Sequence, residues 1–212
     1  MVEGGRGAGK TTLLEVAAAW RRPDSGEVWL GGHDVVGLQL QSLPFVRRNI
    51  GFVEAVPRLL SGISVLDNVM LPLGARGEPI AFAREAALRA LGKVGGMGLA
   101  ASDVTTLSGA ACRLVAVARA IAAAPPLLLL DEPSGSLSPP DIGALLSVLM
   151  GAAEHGAAVI CASADASFVS AAAAAGARRY RLDNGRLSST SGPLGLVGAR
   201  RSGVLALNEA IP

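Results

Sequence analysis

Aromatic residues are scarce in this chain, at 3% of 212 residues. A core with so few rings must be aliphatic and alanine-rich. Half of the residues are apolar, which suffices for one α/β domain of this length. Cysteine is almost absent. Cys112 and Cys161 have neither metal-site nor redox spacing, so a disulfide scaffold is excluded and both are expected to be small buried hydrophobes in a reducing compartment. Charge of one sign is lacking as well: 19 Lys and Arg against 17 Asp and Glu leave +2. The basic residues fall in scattered pairs such as Arg21-Arg22, Arg47-Arg48 and Arg178-Arg179, so no nucleic-acid partner is expected. No apolar run is long enough for a membrane span, because Leu114 to Leu130 is broken by Arg119 and Pro125-Pro126. No signal peptide precedes the first glycines. The expected location is the cytoplasm, with membrane attachment only through a partner. His33 and His155 carry no ligand spacing; His155 stands before Gly156 at a helix end, where a cation suits the helix dipole.

Glycine, by contrast, is abundant, and it concentrates at one stretch. Gly4-Gly5-Arg6-Gly7-Ala8-Gly9-Lys10-Thr11 fits the G-x-x-x-x-G-K-[ST] phosphate-binding loop. Gly4, Gly7 and Gly9 allow backbone conformations closed to other residues and a close approach to phosphate. The loop's N–H groups converge into an anion nest, and the following helix adds its positive dipole end. Lys10 is expected to reach the β- and γ-phosphates, and the Thr11 hydroxyl to bind Mg²⁺. The nucleotide-binding set is Gly4, Gly5, Arg6, Gly7, Ala8, Gly9, Lys10, Thr11 and Thr12. A phosphate loop normally follows a buried strand, yet only Met1-Val2-Glu3 precede this one. The expectation is therefore a sheet incomplete on its N-terminal side.

Along the chain, helices are expected at 11–20, 65–71, 81–94, 109–123, 139–154 and 167–175. Short strands are expected at 27–30, 50–53, 127–130 and 158–162. Arg178 to Leu182 and Arg186-Leu187 flank Asp183-Asn184-Gly185, a hairpin signal. The expected fold is α/β: a phosphate-loop NTPase core with a mostly parallel sheet and an inserted helical subdomain at about 58–123. Residues 1–187 form the nucleotide-binding domain, and 188–212 a loosely held tail.

Leu127-Leu128-Leu129-Leu130 suits a strand buried on both faces, and Asp131-Glu132 leave its carboxyl end, where open parallel sheets bind ligands. Asp131 is placed to hold Mg²⁺ directly or through water, and Glu132 to polarise the attacking water. Upstream, Leu107-Ser108-Gly109 opens a long helix; downstream come Pro133-Ser134-Gly135-Ser136-Leu137-Ser138. In this order of motifs the chain resembles the ATP-binding cassette ATPases, over nearly all of residues 1–187. Gly32-His33-Asp34-Val35, Leu43 to Gly51, Leu59-Leu60, Val65 to Val69 and Leu91 to Gly95 are similar to the FtsE-type cell-division subfamily and to the lipoprotein-export and macrolide-export ATPases. The resemblance implies ATP and Mg²⁺ as ligands and hydrolysis as the activity. It also implies a head-to-tail homodimer in which Ser108 and Gly109 reach the nucleotide of the other subunit. The implied partner is an FtsX-like membrane permease subunit, docking around Leu59 to Val69 and leaving the chain peripheral at the inner face of the cell membrane.

The pattern also fails at defined positions. The family's loop glutamine falls on Ala55, the second signature glycine on Ala110, its polar fifth residue on Ala111, the D-loop aspartate on Ser138 and the switch histidine on Ala164. The groups that grip phosphate and metal survive; those that sense the γ-phosphate and couple subunits are mostly replaced. Two readings follow: an ATPase driving a membrane partner, or a nucleotide-holding docking subunit that turns over poorly alone.

Overall fold

The computed structural model describes residues 1–190 and, for the backbone alone, residues 205–207. Met1 to Asp183 wind around a central sheet. Val2–Glu3 forms β1, only two residues long, yet central: it pairs in parallel with β6 (Ala158–Ser163) on one side and with β7 (Tyr180–Asp183) on the other. Beyond β6 lie β5 (Leu127–Asp131) and β4 (Ile50–Val53), also parallel. The order is β4-β5-β6-β1-β7-β8, and only β8 (Arg186–Ser189) runs antiparallel. The turn Asn184-Gly185 has φ of 47° and 74°, as a two-residue hairpin of this hand requires. A second sheet joins β2 (Val28–Leu30), β3 (His33–Asp34) and β9 (Leu205–Leu207). Of the tail expected at 188–212, Ser188 and Ser189 complete β8; residues 191–204 and 208–212 lie outside the described residues.

Every residue of β5 is buried, because α-helices cover both faces of the sheet. α1 (Lys10–Ala17) packs with Leu14 and Ala17 against Leu127, Leu129 and Ala162. On the opposite face Leu128, Leu130 and Cys161 meet Val115 and Val117 of α5 (Gly109–Ile121), Leu145 and Leu149 of α6 (Pro139–Glu154), and Phe168 of α7 (Ala166–Ala174). The alternate leucines of the 127–130 run thus feed two separate cores, as period-two side-chain alternation dictates.

Two element boundaries differ from expectation by three residues or more. α1 ends at Ala17 rather than Trp20, because Ala19 takes φ 55° and the chain turns. Trp20 instead stacks on Phe52, ring centroids 4.3 Å apart. Helix α3 (Val65–Ala75) runs through Pro72, although proline removes a helical hydrogen bond. Burial of Val65, Leu66, Val69 and Leu73 outweighs that loss. α3 packs with α4 (Ile80–Lys93) and α5 as the helical region. A remaining short helix, α2 (Leu43–Arg47), precedes β4. Cys161 is buried as expected, whereas Cys112 is only half-buried.

Candidate functional site: a phosphate loop facing two carboxylates

β1 delivers the chain into residues 4–9 at the carboxyl edge of the sheet. Gly7 (φ 78°) and Gly9 (φ 99°) occupy the left-handed region, which disfavours other residues. Gly4 is needed for another reason: a Cβ there would stand 2.5 Å from the Leu182 carbonyl oxygen of β7. Arg6 and Thr12 are exposed, and Gly5 and Ala8 close the loop through the Ala8 N–H donating to the Gly5 carbonyl at 3.3 Å. The Gly7 and Gly9 N–H groups meet no protein acceptor among the described residues, and α1 starts at Lys10 with its first-turn donors free for an anion.

Lys10 is 7% exposed, and its ammonium is held locally by two hydrogen bonds and one ion pair. It donates to the carbonyls of Gly4 (2.9 Å) and Gly5 (3.0 Å) and pairs with Glu132 Oε1 at 3.2 Å. Thr11 Oγ1 donates to Asp131 Oδ2 at 2.6 Å. The second oxygen, Asp131 Oδ1, is buried and has no partner. Burial pushes the Asp131 carboxyl up, and Glu132 adds to the rise, against the Thr11 hydroxyl, Lys10 and Arg113, which pull it down. A hydroxyl and an unsatisfied buried carboxylate oxygen at the foot of a phosphate loop fit Mg²⁺, which takes one or two protein oxygens and completes its shell with phosphates and water. Among the described residues there is no cluster of three His, Cys, Asp or Glu side chains, so a site built wholly of such ligands is not offered.

Glu132 takes φ 44°, strained for a residue with a long side chain. Its carboxylate is held from β6: Ser163 Oγ donates to Oε2 at 2.7 Å, and the Ala164 N–H lies 3.0 Å from both oxygens. Ser134, two residues on, donates to Asp165 at 2.8 Å. Hydrogen bonds from Ser167 and then Ser134 hold the Asp165 carboxyl below its ordinary range. Sequence reasoning missed Ser163, Ser134 and Asp165. Their one signal was position, since Ser163-Ala164-Asp165 leave β6 beside the end of β5.

Arg113 was also missed. It is 5% exposed on α5 and donates to the carbonyls of Glu54 (3.1 Å), Ala55 (2.7 Å) and Gly135 (3.1 Å). A Cβ on Gly135 would lie 2.8 Å from its Nη2. Burial lowers the Arg113 pKa, opposed by Asp131 and Glu132. Ser108 caps α5, its Oγ accepting from the Ala111 N–H at 3.2 Å, and Gly109 lies against Ser136. No hydrogen bond links Ser108 or Gly109 to Lys10, Thr11, Asp131 or Glu132, which the fold does bring together.

The comparisons with known proteins agree with this geometry. The ABC transporter family matches residues 1–135. The chain belongs to this family. The cell division ATP-binding protein FtsE of Escherichia coli K12 is 41% identical over 137 residues, 63% of this chain and 60% of that protein. The lipoprotein-releasing system ATP-binding protein LolD of Chromohalobacter salexigens is 38% identical over 189 residues, 88% of this chain and 78% of that protein. LolD of Paramagnetospirillum magneticum is 42% identical over 137 residues, 64% and 61% of the two chains. The chain thus spans about 60% of the length of the FtsE relative. The ATP-binding cassette MJ0796, solved as a dimer in a post-hydrolysis state with ADP and Pi, superposes with a TM-score of 0.82 at 28% identity, covering 90% of this chain and 84% of that one. This ABC subunit is therefore FtsE- and LolD-like, with the cassette fold.

Proposed function

We propose that this ABC subunit binds ATP with Mg²⁺ and hydrolyses it to drive a membrane permease partner. The observation that carries the reading is the convergence of Lys10, Thr11, Asp131 and Glu132 at one strand edge. The loop's free N–H groups and Lys10 bind the β- and γ-phosphates. Two Lys10 donors are held by loop carbonyls and the ammonium is ion-paired with Glu132; that ion pair is the contact an incoming phosphate replaces, because Glu132 has Ser163 and the Ala164 N–H to fall back on. Mg²⁺, held by Thr11 and Asp131, would neutralise charge on the phosphates. Glu132 accepts the proton of a water whose oxygen bonds to the γ-phosphorus as the β–γ bridge breaks, leaving ADP and phosphate.

Both FtsE and LolD relatives support the subunit role, so an FtsX-like permease and a lipoprotein-release permease are alternative partners. Val56 (77% exposed) and Leu60 (53%) leave apolar surface beside Leu59 to Val69 for such a partner. No helix of the described residues is long and apolar enough to cross a membrane, in keeping with a subunit held peripherally at the inner face. Ser108 and Gly109, which make no hydrogen bond to their own Lys10 among the described residues, suit a head-to-tail homodimer.

The test is ATP binding and single-turnover phosphate release by wild type, Lys10→Ala and Glu132→Gln. The expected outcome is binding lost in Lys10→Ala and release lost in Glu132→Gln. Lys10-dependent binding with no Glu132-dependent release would refute hydrolysis and leave a nucleotide-holding docking subunit.

A further inference from the structure

The Glu132 carboxylate is held from the neighbouring strand end, by the Ser163 hydroxyl and the Ala164 N–H. We infer that Ser163 is the positioning residue for Glu132, holding the carboxylate through its hydroxyl and the adjoining Ala164 N–H. The inference rests on the hydrolysis proposed above.

Glu132 protrudes from a strained backbone at the end of β5, and such strain persists only where the surroundings over-determine it. Three tethers do so, all from the end of β6. The Glu132 N–H donates to the Ala162 carbonyl at 2.8 Å. Ser163 Oγ and the Ala164 N–H grip the carboxylate from one side. The Ser134–Asp165 bond latches the next turn of chain to the same segment. Ser163 is wholly buried, and its hydroxyl has no rotational freedom left, because Oγ also accepts from the Asp165 N–H at 3.0 Å. With that acceptor role filled by Asp165, the hydroxyl proton is directed at Glu132.

The consequence appears when nucleotide arrives. Lys10 is the only other side chain that engages the Glu132 carboxylate among the described residues. As Lys10 turns to phosphate, that contact weakens, and Ser163 with the Ala164 N–H becomes the sole hold on the base. Ala164 supplies only a backbone donor, so its own side chain is dispensable. Ser163 is not, since no other hydroxyl among the described residues reaches Oε2.

Misplacing a reacting group by about 1 Å can cost on the order of 100-fold. Removing one of two donors is expected to lower single-turnover phosphate release by roughly 10- to 100-fold. The experiment compares wild type, Ser163→Ala, Ser163→Thr and Glu132→Gln, with ATP affinity measured on the same samples. Ser163→Ala should lose release while ATP affinity stays within about twofold, and Ser163→Thr, which keeps the hydroxyl, should recover most of the loss. The inference is overturned if Ser163→Ala releases phosphate at the wild-type rate. It is equally overturned if release and affinity fall together, as a merely structural role would give, or if Thr is as slow as Ala. Wild type that binds ATP through Lys10 without Glu132-dependent release overturns the hydrolysis reading as well; normal Glu132 dependence with an unaffected Ser163→Ala overturns the positioning role alone.

Discussion

Replacing Thr11 with Val removes one hydroxyl and little else, since the two side chains share a shape. Asp131 is 2% exposed and already has one oxygen without a partner. Losing the 2.6 Å bond from Thr11 leaves the carboxylate with no hydrogen bond at all. A bond to a charged group contributes about 1.5–3 kcal/mol; because Thr11 itself is exposed and water can partly replace it, the lower end, about 1.5–2 kcal/mol, is expected. For a domain of this size that is a fall in Tm of roughly 3–8 °C. The sign with pH follows from protonation. The Asp131 carboxyl is raised above its ordinary value, so its charge works against folding once pH rises through the folded pKa, and stability from the protonated form is fully present only below the unfolded value. The Thr11 bond favours the charged form. The gap between wild type and Thr11→Val should therefore be largest at neutral pH and shrink as pH falls through the raised Asp131 pKa. Thermal melts of both proteins across that range measure it, and Mg²⁺-dependent protection by ATP should be weakened in the variant at neutral pH. An equal loss of Tm at neutral and acid pH would refute the charged-acceptor argument.

Asn68→Ala should cost about 2–4 kcal/mol, because the fully buried amide accepts from the Leu60 N–H (2.7 Å) and donates to the Leu60 (2.9 Å) and Ser64 (3.0 Å) carbonyls; denaturant unfolding gives the cost, and hydrogen exchange should rise over residues 59–66. Burial pushes the Cys161 thiol up to about 12, so a thiol reagent at neutral pH should label half-buried Cys112 in the native protein and Cys161 only after unfolding. Fast labelling of two thiols per native chain would contradict that packing.

Much of this protein is local in origin, and that part is written in the sequence. A phosphate loop is a run of eight residues whose glycines and lysine act where they stand. The 127–130 leucine run suits a strand buried on both faces, being short, continuously apolar and bounded by Pro125-Pro126 and Asp131-Glu132. The Asn184-Gly185 turn and the helix at 139–154, with Ser138 and Asp141 forming its capping box, are set by neighbours a few residues apart. What the sequence alone left open depends on residues far apart in the chain. Gly4 is required by the carbonyl of Leu182, α3 passes Pro72 because a core waits for Leu73, and Trp20 leaves its helix to stack on Phe52. Above all, Ser163 lies 31 residues from Glu132 and Arg113 lies 58 and 59 residues from the carbonyls it gathers after β4. A serine or an arginine of this kind has no motif, since its role is fixed by which strand ends the parallel sheet places side by side.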